Sequence, residues 1–150
     1  MSHVARLDIQ IKDLNALKEA CKACGLQWKE GQKTHKWYGR WVNDYHGNNA
    51  AYKKGIDPKN YGKCEHAIGV PGNSQAYEIG VVKMPDGTYS LIWDFWGGGH
   101  GLQALAGDNC SNLVKSYVTN VTKKKLAAQG YTCQTIQNKD GVVKLEFVKY

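Results

Sequence analysis

Metal binding and nucleophilic attack need thiolate, imidazole and carboxylate side chains in particular arrangements. Cys64 and His66 stand one residue apart, and with His100 or Cys110 they offer thiolate and imidazole, the usual zinc ligands. Their spacing matches no recognised zinc pattern, so the plainer expectation is a buried thiol, ordinary histidines and no bound metal or cofactor. Cys64, His100 and Asp94 offer a second combination of nucleophile, base and orienting carboxylate, which works only if three distant segments converge. Cys21-Lys22-Ala23-Cys24 has the form of a redox pair. It falls at the C-terminal end of a predicted helix, however, where the dipole does not stabilise a thiolate, and it reads as core. Gly97-Gly98-Gly99-His100-Gly101 lies between a strand end and the approach to a helix, where exposed amides can cradle an anion. The run matches neither a phosphate-binding loop nor a dinucleotide fingerprint, and a flexible connector is the competing reading.

The densest chemical signal is an insertion at about residues 31–76. It shows no lasting helical or strand period, and it interleaves Trp37, Tyr38, Trp41, Tyr45, Tyr52 and Tyr61 with seven cations against three acids. Aromatic faces stack on bases and cations hold phosphates. The ligand-binding candidates are therefore Lys36, Trp37, Arg40, Trp41, Tyr45, Lys53 and Lys54, joined by Trp96 and His100 from the glycine run. The competing reading is a small satellite core whose rings pack under the insertion while its lysines face water. Over the whole chain, Lys and Arg outnumber Asp and Glu by 20 to 13, which favours an anionic partner without choosing among nucleotide, nucleic acid and acidic protein. Five cysteines, no secretory leader and no long apolar run point to a reduced, cytoplasmic protein that does not use a membrane.

Those residues need elements to position them. Tyr77 to Gly101 predicts a β-hairpin turned by Pro85-Asp86-Gly87 that carries Trp93, Trp96 and the glycine run to one edge. Upstream, Leu7, Ile9 and Ile11 alternate with polar residues as a strand over 3–11. A helix from Asp13 to Gly25 follows, with Leu14, Leu17, Cys21 and Cys24 on its buried face. Short strands are predicted at 26–30 and 66–70. Downstream, Leu113, Val114, Tyr117, Val118 and Val121 mark one face of a long helix, capped by Asp108, Ser111 or Asn112 and ended by Gly130 with Lys123, Lys124 and Lys125 near its terminus. Tyr131–Gln137 and Val142–Val148 pair through Asn138-Lys139-Asp140-Gly141 as a hairpin expected to close the sheet.

This order predicts an α+β fold: one domain over 1–150, with a single mainly antiparallel sheet, two helices on one face, ferredoxin-like elements and the insertion on the remaining face or edge. The opening Met1-Ser2-His3 with the first strand and helix, the central YEIGVVKMPDGTYSLIWDFWG, and the closing YVTNVTKKKLAAQGYTCQTIQNKDGVVKLEFVKY resemble the Ycf-thirty-five-like family (domain of unknown function twelve fifty-seven) of cyanobacteria, plastids, other bacteria and bacteriophages. The basic aromatic insertion departs from that pattern. The resemblance implies no catalytic residues, and its phage members imply a role in host takeover or counter-defence. The residues themselves point to a non-enzymatic binder of a nucleotide or nucleic acid. The alternative is a protein-interaction adaptor or inhibitor that sets the same aromatic patch against an acidic partner. A small hydrolase or transferase comes third.

Overall fold

In the computed structural model the described residues are 4–6, 10–37, 62–137 and 143–149. Arg40, Trp41, Tyr45, Lys53 and Lys54 lie outside them, as do Tyr38, Tyr52 and Tyr61. The architecture is α+β. Five antiparallel strands, β1 (Val4–Arg6), β2 (Gln27–Lys29), β3 (His66–Gly69), β4 (Ile79–Lys83) and β5 (Tyr89–Asp94), form a sheet in the order β1-β5-β4-β3-β2. Ile11 extends it by a bridge to Tyr89.

Alternation along the strands divides the sheet into two faces. Ile68, Ile79, Val81, Leu91 and Trp93 point to one side, where they join Ala16, Leu17, Ala20 and Cys21 of helix α1 (Leu14–Ala23) in the main core. Asp13 caps α1, its Oδ1 accepting from the Ala16 amide at 3.0 Å. Helix α3 (Ser111–Ala128) lies against α1 and adds Leu113 and Tyr117 to the same core. Polar bonds join the helix pair: Lys12 N and Asp13 N donate to Tyr117 Oη at 3.0 and 3.3 Å, Asn120 Nδ2 donates to Ala16 O at 3.1 Å, and Lys124 pairs with Asp13 at 3.3 Å.

Three expectations are corrected. Among the described residues, the last hairpin, β6 (Tyr131–Gln137) with β7 (Val143–Lys149), pairs only with itself and forms a separate two-stranded sheet against α3. The start of α3 is not capped by Asp108, Ser111 or Asn112. Cys110 occupies the cap position in the left-handed region, at φ 58°, with no side-chain capping bond, and a short helix α2 (Leu102–Ala106) precedes it. Val118 is not on the buried stripe, because Leu113, Tyr117 and Asn120 already face α1 and the sheet, and the next position along rotates outward to 47% exposure.

The second face of the sheet receives the beginning of the insertion. Gly80 makes this possible: a Cβ there would stand 2.5 Å from His35 Cδ2 and 3.0 Å from Ile92 Cγ2, so only a glycine lets the imidazole lie on the strand. His35 N donates to Gly62 O, and a bridge joins Thr34 to Lys63, so the two ends of the insertion are held side by side on that face.

Candidate functional site

The described candidates gather at one end of the sheet, where β3 and β5 finish and β4 begins. After β5 the chain enters Trp96–Gly101, in which Gly97, Gly98, Gly99 and His100 all take left-handed angles, with φ between 54° and 70°. Three glycines adopt this conformation at little steric cost, whereas His100 is strained in it. The result is a short left-handed turn. Asp94 starts the turn by accepting from Trp96 N at 2.9 Å, and Asp94 is itself fully buried. Trp96 emerges 37% exposed, while Trp93 is buried against the helices.

The connection from β3 to β4 holds this turn from one side. Tyr77 N donates to Gly99 O at 2.9 Å, Asn73 Nδ2 donates to His100 O at 3.1 Å, and the Tyr77 and His100 rings meet edge to face at 4.9 Å. Trp96 also meets His100 edge to face, at 6.0 Å. From the other side, Lys36 reaches the same connection: its ammonium donates to Ser74 O, and its backbone amide donates to Glu78 Oε1 at 3.0 Å while its carbonyl accepts from Glu78 N at 2.9 Å. Trp37 follows, its indole lying over Gly62 so closely that a Cβ there would fall 2.6 Å from Nε1. The structure therefore brings Lys36, Trp96 and His100 to opposite sides of one loop, with Trp37 next in chain to Lys36.

Glu78 is the anchor of this arrangement. Burial opposes its charge, but Lys29 Nζ at 2.6 Å, the Lys36 amide and the Gln32 amide at 3.0 Å together hold its carboxyl below the ordinary glutamate range. Beside it, His35 Nδ1 donates to Glu78 O at 3.1 Å in the neutral ring, which leaves Nε2 as a buried lone pair with no hydrogen-bond partner among the described residues. Burial, more than any neighbouring charge, pushes the His35 imidazole down to about 4. Sequence reasoning missed His35, Lys29, Glu78 and Asn73. The available signals were Gly80 inside a strand, which marks close approach of another group, and a lone acid at the start of an otherwise apolar strand.

The two chemical combinations do not assemble. Cys64 donates to Gln32 O at 3.2 Å, and burial followed by the Glu78 charge pushes its thiol up to about 12, which keeps it protonated and a poor nucleophile. His66 accepts from Gly31 N at 2.9 Å and lies against Trp28, opposite Val81 and away from the end of the sheet that holds His100. Cys110 is buried at the start of α3. Among the described residues no three His, Cys, Asp or Glu side chains are grouped to hold a metal ion. Among them, also, no helix is long and apolar enough to cross a membrane. No family model, curated protein or solved structure matches the chain.

Proposed function

We propose that this end of the sheet binds an anionic ligand, a nucleotide or a single-stranded nucleic acid, without transforming it. The observation that carries the reading is the double anchoring of the β3–β4 connection: Lys36 and Glu78 secure it on one side, and the left-handed turn bearing Trp96 and His100 secures it on the other. An exposed indole beside a glycine-rich turn provides a stacking face for a base. The lysine and the basic insertion that it opens supply charge for phosphate.

The test is a titration of the purified protein with ATP and with a fluorescein-labelled single-stranded oligonucleotide, using wild type, Trp96→Ala and Lys36→Ala. The indole is already part exposed, so its removal should leave the melting temperature near wild type while weakening binding by about 1–3 kcal/mol. Lys36→Ala should weaken binding and make it less dependent on salt. If wild type binds neither probe, or both variants bind as wild type does, the reading fails and an acidic protein partner becomes the better one.

A further inference from the structure

Between the left-handed turn and the start of α3 lies an open groove of about 640 Å³, lined by Gly98, Gly101, Gln103, Asp108, Ser111 and Asn112. Two bonds orient its side chains: Gln103 Nε2 donates to Asp108 Oδ1 at 2.8 Å, and Asn112 Nδ2 donates to Leu105 O at 3.3 Å. They leave Asp108 Oδ2 and the amide oxygens of Gln103 and Asn112 without partners among the described residues, so the groove is rich in acceptors. Gly107 preserves that wall, because a Cβ there would stand 2.7 Å from Ser111 Oγ and 2.8 Å from Asn112 Cγ.

The charges narrow the ligand further. An anion in the groove would face the Asp108 carboxylate, and a cation would face the positive end of the 18-residue helix α3, whose first turn has no side-chain cap. A neutral group carrying hydroxyls avoids both penalties and can donate to the spare acceptors. A carboxylate accepting from a ribose hydroxyl is a recurrent solution to that chemistry. The groove also shares Gly98 and Gly101 with the run that carries Trp96 and His100, so a ligand stacked at the sheet end would extend into it.

We propose that this groove takes the ribose of a ribonucleotide, its 2′-hydroxyl donating to Asp108. The inference rests on the proposed function and names the substrate class of the same site. Free ribonucleotide and single-stranded RNA share this chemistry, and the experiment separates them. Wild type is titrated with ATP and dATP, and with oligouridylate and oligodeoxyuridylate of equal length. The ribo form of the pair that binds should bind roughly 10-fold more tightly, the worth of one hydrogen bond to a charged group. Asp108→Ala, at an exposed position, removes the acceptor and should abolish that preference, read as the ratio of ribo to deoxy affinity. Equal ribo and deoxy binding in wild type, or a preference that Asp108→Ala retains, overturns the groove assignment and leaves the proposed function standing. Failure of all four probes to bind overturns both.

Discussion

His35 carries its ring nitrogen into the space over Gly80 and Ile92 as a neutral acceptor, and that fixes how the protein should respond to acid. Its folded-state value, about 4, lies below the ordinary 6.5, so between those limits the unfolded chain binds a proton that the folded chain does not. Stability is therefore full above about pH 6.5 and falls progressively as the pH drops towards 4, by roughly 3 kcal/mol from this residue. Urea melts from pH 7 to pH 4 should show the decline, and His35→Gln, which cannot titrate, should flatten it. A His35→Gln variant with the same acid slope as wild type would place the effect elsewhere. The cysteines make the opposite kind of prediction. Burial pushes Cys21 and Cys64 up to about 12 and raises Cys110 as well, so iodoacetamide at neutral pH should modify these three slowly in the native protein and readily in denaturant. Peptide mapping by mass spectrometry reads this directly, and rapid native labelling of Cys21 would contradict it.

The left-handed turn is the element on which the candidate site depends, and its glycines are not equivalent. A Cβ on Gly99 would stand 3.0 Å from Leu102 Cβ and 3.4 Å from Asp94 O, whereas one on Gly97 meets nothing nearer than His100 Cε1 at 3.8 Å. Gly97→Ala should therefore cost only the left-handed backbone strain, about 1 kcal/mol. Gly99→Ala adds overpacking beneath the turn and should cost a further 1–3 kcal/mol. Thermal melts of the two variants test this ordering, and equal losses would mean that the turn yields as a unit. The glycine run and its position after a strand were legible in the residues, because three consecutive glycines remove the steric bar to positive φ. The hand of the turn was not, since it depends on Tyr77 and Asn73 bonding to Gly99 and His100 from more than twenty positions upstream.

Across the whole molecule, the five-stranded sheet and the terminal hairpin differ in how they are supported. The sheet is buried between helices on one face and the His35 segment on the other, whereas β6 and β7, among the described residues, pair only with each other and rest on α3. Two-stranded sheets are marginal by themselves. Amides of β6 and β7 should therefore exchange with deuterium through local opening, well before those of β4 and β5, which should open only with global unfolding. Hydrogen exchange followed by mass spectrometry would detect this, and equal protection of the two sheets would show that the hairpin is as firmly held as the core.

What the residue order determined by itself was the set of elements: period-2 alternation and Pro85-Asp86-Gly87 specified β4 and β5, and Asp13 with the Leu17 and Cys21 stripe specified α1. These signals are local, because each depends on neighbours within one turn or one pleat. Tertiary structure decided which strands shared a sheet, and it separated the last hairpin from the first five because α3 packs on α1 and carries the hairpin with it. It also decided the composition of the candidate site. Lys36, Trp96 and His100 were nameable as a cation and two rings, but their common anchoring rests on Glu78 and Asn73, whose bonding is set by three-dimensional register. The groove beside α3 was invisible for the same reason: Asp108, Ser111 and Asn112 looked like capping residues, and they line an open wall because Cys110 takes the cap position in a left-handed conformation.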